Sequence, residues 1–303
     1  MALTKGCIIL TKSAKEAFQN TKVGIKLMHT PMKTKSESST KDFELFKKKI
    51  EKDFFTHPVI VNNPYTKWFK QGLANTEQVK DLILQFSVFS NHFIVVQTKR
   101  MVNATTIEGE EAARAILLNE CGVGMDVKTG SIEGKRFATT NAHINWLRKM
   151  ADMLDVDTKK IGRWETGTKA THDFLEGLDQ TYGSRDGIIG SGASFAIETW
   201  AAFGIGEGKE AESNNFWREL TVGLEGYNKH HRIPKGLQSL PTGFFQYHFE
   251  TESGHGVNVW QELKEAFNKP EFDEIKFIDA GKIALKSIYT FWLGLDETRK
   301  NLA

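Results

Sequence analysis

The chain has 303 residues, a formal net charge of +2, and 40% hydrophobic and 26% charged residues, which is an ordinary composition for a globular protein. This length allows a substantial core, and the small net charge argues against an extended basic surface for nucleic acid. The two cysteines do not provide a disulfide framework, and no run of about 18 apolar residues predicts a membrane span. We therefore expect a cytoplasmic protein with no nucleic-acid or membrane partner.

Residues 1–41 differ in composition from the rest of the chain. Lysine is frequent there, acidic residues are scarce, and the stretch KTKSESSTK is polar and low in complexity. A segment of this kind cannot bury enough apolar surface to become ordered by itself. We predict a flexible basic N-terminal arm over residues 1–41 and one domain over residues 42–303.

From residue 42 onward the sequence predicts helices. Apolar residues recur every three or four positions, only 6 prolines interrupt them, and no pair of strands is evident. We expect a long helix that follows Thr76 as its N-cap, and a helix capped by Thr140 or Asn141. Further helices are predicted near 42–55, 106–121, 165–180, 187–206, 209–225, 241–268 and 273–298. The predicted fold class is all-α, a bundle of about seven or eight helices.

The stretch HFETESGH, residues 248–255, combines imidazole and carboxylate side chains. At about 100° per residue on a helix, Glu252 and His255 lie about 40° and 20° to either side of His248, whereas Glu250 points the opposite way. Two imidazoles and one carboxylate on one face suit iron, manganese or zinc. The alternative is a polar helix face with two surface histidines, and the large side chains that precede the motif, such as Phe244, argue against it.

Three further residues extend this candidate set. Glu198 lies in the apolar segment SFAIETWAAF, Glu120 ends the apolar segment AILLNE, and His143 stands near a predicted helix start. Taken singly, they would be a carboxylate paired in the core, an exposed helix terminus and a hydrogen-bonded core histidine. Together with HFETESGH they give three carboxylates and three histidines on four helices. That number is sufficient to hold two metal ions between the helices of a bundle.

The sequence resembles the haem-oxygenase-like diiron oxidases, a family related to the thiaminase-II and pyrroloquinoline-quinone-synthase folds. The resemblance covers residues 42–298 and rests on HPVIVNNPYTKWFKQG, LLNECGVG, HINWLRKMADMLDV, AIETWAAF and FFQYHFETESGH. It implies a haem-oxygenase-like bundle whose metal ligands are Glu120, His143, Glu198, His248, Glu252 and His255. Two departures stand out. The family usually has Asp where this chain has Glu252, and the long spacing after Glu120 leaves His92 as an alternative ligand to His143.

The resemblance further implies a non-haem dinuclear iron oxidase or oxygenase. Two iron ions, or one manganese and one iron, would activate dioxygen as co-substrate, with Glu120, Glu198 and Glu252 as catalytic carboxylates. Known family reactions are N-oxygenation, oxidative C–C cleavage, desaturation and self-sacrificing aminobenzoate formation. The expected partners are a small organic substrate and an external electron donor, and a homodimer is compatible with the sequence. Candidates for substrate contact are His92, Gln85, Lys99, Arg100 and Arg114, each of which has an ordinary helix-surface alternative.

Three other functions remain open at this point. A metal-free enzyme or binding module of the same fold would not need the six-ligand set. A haem protein needs one proximal histidine and a Gly-rich distal helix, which GSGAS near Glu198 resembles superficially. A ferritin-like iron store needs paired E-x-x-H motifs, which this sequence lacks.

Overall fold

Helices account for the regular structure of the described part of this chain. The computed structural model describes residues 38–123, 142–202, 215–252, 260 and 263–303, and these residues contain helices, turns and loops but no β-strand. The all-α prediction is therefore confirmed for the described part of the chain. The predicted arm over residues 1–41 lies almost entirely outside it, and its boundary with the domain stays a prediction.

The described residues form eleven α-helices with assigned bounds. They are α1 Ser38–Ile50, α2 Pro58–Val61, α3 Pro64–Phe69, α4 Thr76–Val102, α5 Ile107–Glu120, α6 His143–Asp152, α7 Lys169–Gln180, α8 Gly187–Ala202, α9 Phe216–Tyr227, α10 Gly243–Glu252 and α11 Glu274–Asn301. This is more than the predicted seven or eight. The excess includes α2 and α3, which are only one or two turns long. Pro58 and Pro64 occupy the first positions of these two helices, so each proline starts a new helix.

Helix starts are fixed by short polar side chains. The cap of α4 is Asn75 rather than the predicted Thr76: its side chain accepts from the Gln78 amide while the Gln78 side chain accepts from the Asn75 amide. Thr106 and Thr168 cap α5 and α7 in the usual way. The predicted caps Thr140 and Asn141 lie outside the described residues, and α6 begins after Ala142 without a side-chain cap.

Helix α4 supports α5 and α6, two of the helices that carry candidate ligands. Helices α5, α6 and α7 pack against it, and α10 packs against α6, α8 and α9. Alone among the described helices, α4 has the length and apolar composition of a membrane span, but half of its most apolar window is buried in the bundle. It also carries buried polar side chains, including Gln78, Gln85 and Gln97, as expected for a core helix.

Helices α8 and α11 form a close contact at a glycine. A Cβ on Gly192 would lie 2.2 Å from the carbonyl oxygen of Phe277, so only glycine fits at this point of α8. The small residues of GIIGSGASFAIETWAA therefore serve backbone approach, as the sequence predicted for a central helix. The long helix predicted over 241–268 is described as α10 up to Glu252 and as a helical stretch over 263–267, with the part between lying outside the described residues.

Candidate metal centre

Three predicted ligands converge at one point between α5, α6 and α10. Glu120 is the last residue of α5, His143 is the first of α6, and His248 lies in the middle of α10. One potential ligand atom from each residue lies within 4.8 Å of those of the other two. The side chains of His143 and Glu120 are 2% and 12% exposed, and His248 is 6% exposed. The group is therefore shielded from water although it contains an acid.

The contact between Glu120 and His143 leaves the ring nitrogens of His143 without a hydrogen bond. Oε2 of Glu120 lies 2.7 Å from Nδ1 of His143, but the approach lacks the angle of a hydrogen bond. Neither ring nitrogen of His143 has a hydrogen-bond partner among the described residues. A buried polar group left without a partner costs about 1–3 kcal/mol. Glu120 also ends a helix, where negative charge opposes the helix dipole. A bound cation would give a ring nitrogen of His143 a partner and would compensate the negative charge of Glu120.

His248 is held in one orientation. Its Nδ1–H donates to the carbonyl oxygen of Phe244 at 2.7 Å, which leaves the lone pair on Nε2. The Trp217 ring stacks on the imidazole, with centroids 4.4 Å apart and planes 21° apart, and the His143 ring lies 4.6 Å away. Burial, and next the neighbouring His143, lower the pKa of His248 to about 4, against the opposing effects of Glu120 and the Phe244 carbonyl. The imidazole is therefore neutral at neutral pH, as a metal ligand must be.

A cavity of about 470 Å³ adjoins this group, and Glu120 and His248 line it. Glu198 of α8 lines the same cavity, so a fourth predicted ligand faces the same space. Glu252 ends α10 one helical turn after His248, which agrees with the predicted register. The Glu252 side chain and all of His255 lie outside the described residues, and their role as ligands stays a prediction.

His92 does not belong to this group. It is half-buried on α4, its ring centroid lies 5.3 Å from that of Trp164, and burial lowers its pKa. Of the two histidines considered as the second ligand, His143 is the one that lies beside Glu120 and His248.

The side-chain amide of Gln85 forms hydrogen bonds within the fold. Its Nε2 donates to the Thr166 carbonyl at 3.0 Å, and its Oε1 accepts from the Thr168 amide and the Thr171 hydroxyl. It is not among the residues that line the cavity. The amide joins α4 to the start of α7, so its hydrogen-bonding capacity is used within the fold.

The three cationic candidates for substrate contact have different surroundings. Lys99 pairs with Asp179 at 2.5 Å, and Arg114 pairs with Glu110 on the exposed side of α5. Arg100 lines the cavity that contains Glu198 and His248. Among these three cations, Arg100 is therefore the one whose position allows contact with a molecule in the cavity.

Sequence reasoning missed the residues that orient the group. Trp217 lies 31 positions from His248, and no local pattern indicates that it stacks there. The Asn119 amide donates to the Tyr247 hydroxyl at 2.6 Å and so links the end of α5 to the middle of α10 beside the ligands. Asn119 and Tyr247 directly precede the predicted ligands Glu120 and His248, and this adjacency is the one sequence signal that points to them.

The fold has a known relative. A solved TenA homolog from Pseudomonas syringae pv. tomato matches this chain with a TM-score of 0.57 and 13% sequence identity, covering 83% of this chain and 93% of that one. Likeness at this identity shows the fold alone, and it bears out the predicted haem-oxygenase-like helical architecture. No protein-family model matches the sequence, and no curated protein matches it.

Proposed function

We propose that this protein is a non-haem dinuclear metal enzyme that uses dioxygen to oxidise a small organic substrate, with iron as the resident metal. The observation that carries the proposal is the buried group of Glu120, His143 and His248, in which the ring nitrogens of His143 have no hydrogen-bond partner among the described residues. A hydrogen-bonded core histidine, the simplest alternative, would have a well-aligned partner on at least one nitrogen, whereas the Glu120 carboxylate lies 2.7 Å from Nδ1 without hydrogen-bond geometry.

The side chains present fit a divalent transition metal. Two imidazoles and a carboxylate with ligand atoms within 4.8 Å of one another match the ligand types that iron, manganese and zinc prefer. Glu198, which lines the cavity, and Glu252 and His255, which follow His248, are the proposed additional ligands for a second ion. When bound, reduced iron in such a site would supply the electrons for dioxygen activation.

The protein's own residues would position the ligands and restrict water. The Phe244 carbonyl fixes the tautomer of His248, and Trp217 fixes the plane of its ring. Ring contacts of Phe244 and Tyr247 with His143, at centroid distances of 5.9 and 5.6 Å, enclose the second imidazole. Outer contacts of this kind typically change metal affinity by about 10–100-fold when they are removed.

A second candidate is a metal-free enzyme of the thiaminase-II type. The observation that favours it is the structural likeness to the TenA homolog, since that fold does not by itself imply a metal. In that case the group of Glu120, His143 and His248 would bind or protonate a substrate directly. Metal content separates the two candidates.

The test is anaerobic loading with ferrous iron, removal of loosely bound metal, and counting of iron per chain. We expect the wild-type protein to retain up to two ions and to consume oxygen on exposure to air. His143→Gln and Glu120→Gln should lose iron, because each removes a ligand from the buried group. His92→Gln is the control, since this half-buried imidazole lies against Trp164 and outside the group.

Two results would reject the proposal. One is a wild-type protein that keeps no iron after loading, which would leave the metal-free candidate. The other is loss of iron in His92→Gln with full retention in His143→Gln. For the predicted ligand Glu252, the corresponding pair is Glu252→Ala, which should lose metal, and Glu250→Ala, which should not.

A further inference from the structure

The cavity beside the metal group is elongated along three helices. On α5 its lining residues run from Gly109 to Glu120, and on α4 they run in the opposite direction from Arg100 to Phe86. On α8 they run from Ser191 to Glu198 and beyond. At about 1.5 Å per residue, the stretch from Gly109 to Glu120 corresponds to a length of about 16 Å.

The two ends of the cavity carry opposite charge. Glu120 and Glu198 lie at one end, together with His248. Arg100 lies at the other end, where its Nη1 atom comes within 3.7 Å of the position that a Cβ on Gly190 would occupy in the first turn of α8. Gly190 precedes Glu198 by two helical turns, so the guanidinium and the carboxylates are well separated.

The wall between these ends is mainly apolar. Its side chains include Phe89, Phe93, Phe195, Ile116 and Ile197. The amide of Gln97 also lies there, but it donates to the Ala113 carbonyl and accepts from the Tyr182 hydroxyl, so its polarity is satisfied. The middle of the cavity therefore favours a hydrocarbon or aromatic body over a polar one.

Arg100 has no ion pair or side-chain hydrogen bond with any described residue. Its neighbour in sequence, Lys99, takes Asp179, and Asp186, which caps α8 nearby, is held by Lys276 at 3.0 Å and by the amides of Ile188 and Ile189. A guanidinium that lines an apolar cavity without a carboxylate partner is suited to bind an anion from outside the protein.

We infer that the substrate is an elongated, mostly apolar molecule with one anionic end, such as an alkyl or arylalkyl carboxylate, and that its anionic group binds Arg100. The opposite end of the molecule then lies beside Glu120, Glu198 and His248, about 12 Å away as judged from the rise of α8 between Gly190 and Glu198. Reaction at that far end rests on the proposed function, whereas the binding mode rests on the cavity and on Arg100. Ser191 and Ser194 line the same face of α8 between the two ends.

The test uses the full-length protein kept free of metal with a chelator, so that binding is measured without chemistry. Isothermal titration calorimetry measures the affinity for decanoate and for decanol, which is the uncharged probe of the same length. Arg100→Met should weaken decanoate binding at least about tenfold, as expected for a lost charge-assisted hydrogen bond, and should leave decanol binding unchanged. Arg114→Met is the matched control, because its guanidinium pairs with Glu110 outside the cavity.

A second variant tests the location. Ser194→Phe places a ring in the middle of the cavity and should abolish binding of both probes, with Ser194→Leu in its place if that variant fails to fold. Unchanged decanoate affinity in Arg100→Met, unchanged affinity in a folded Ser194 variant, or no binding of either probe to wild type would each overturn the inference. Because iron is counted separately, a failure to hold iron would reject the proposed function without affecting this result.

Discussion

The Nδ1–H of His248 donates to the carbonyl oxygen of Phe244 one helical turn earlier in α10, at 2.7 Å. This bond determines which nitrogen of the ring carries the proton. The other nitrogen, Nε2, is left as the only acceptor or ligand atom of a buried imidazole. Stacking by Trp217 then restricts the ring plane, so that the direction of the lone pair is set by two contacts from different helices.

The first prediction concerns Trp217. Trp217→Leu removes the stacked ring and should weaken metal affinity about 10–100-fold, because His248 gains rotational freedom. Trp217→Phe retains an aromatic face and should lose less. Competition against a chromophoric chelator measures the affinity. The control is Trp164→Leu, which removes a ring stacked on His172 away from the site. Equal metal affinity in Trp217→Leu and wild type would show that the stack does not position the ligand.

The second prediction concerns a glycine pair on α8. Gly192→Ala places a Cβ 2.2 Å from the Phe277 carbonyl oxygen and must separate α8 from α11, which should cost about 1–3 kcal/mol or more. Gly190→Ala meets nothing closer than 3.7 Å and should be neutral or stabilising by up to about 1 kcal/mol, because alanine is the better helix former. Chemical denaturation of both variants gives the comparison. Equal stability of the two would contradict the close contact.

The third prediction concerns Asp81 of α4. Burial raises the pKa of this carboxyl to about 6, although a hydrogen bond from Gln85 opposes the shift. The folded state therefore binds the proton of Asp81 more tightly than the unfolded state does. The stability that this carboxyl contributes is fully present below about pH 4 and is lost as the pH rises through about 6. Asp81→Asn should raise the melting temperature by a few degrees at pH 7.5 and have little effect near pH 4.

Thermal melts at several pH values test this expectation. The control is Asp173→Asn, which changes a carboxylate paired with Lys169 at an exposed site. An Asp81→Asn variant that is less stable than wild type at pH 7.5, or a difference that does not vary with pH, would show that the Asp81 carboxylate is not destabilised in the fold.

The fourth prediction separates a structural role from a binding role for Gln85. Gln85→Met leaves the Thr168 amide and the Thr166 carbonyl without their partner and should lower stability by about 1–3 kcal/mol. Iron content and decanoate affinity should not change, since Gln85 does not line the cavity. A variant of normal stability with impaired decanoate binding would instead support the sequence-based suggestion that Gln85 contacts substrate.

Local patterns were sufficient for most of the fold. The start of α4, the acidic first turn of α5 and the small residues of α8 are all visible in the sequence, because caps and periodicity act within a few residues. The types of Glu120, His143 and His248 also identified them as candidates. Their convergence was suggested by a family resemblance and not by spacing, since the three residues span 128 positions.

The surroundings of the site could not be predicted in the same way. Trp217 reaches His248 through the packing of α9 on α10, and Gln85 reaches Thr171 through the packing of α4 on α7. Such contacts depend on tertiary geometry, to which single-residue patterns are insensitive. For the same reason the sequence ranked Arg100 equally with Arg114, although one lines the cavity and the other pairs on the surface.

The position of Glu120 at the end of α5 and of His143 at the start of α6 has a consequence for chain connectivity. Both helices pack on α4, so the meeting of the two side chains is set by that shared support. The entropy of closing the intervening segment grows only slowly with its length, by about 0.6 kcal/mol for each doubling. Residues inserted between 124 and 141, or a single backbone cut there, would therefore leave the carboxylate and the imidazole facing each other.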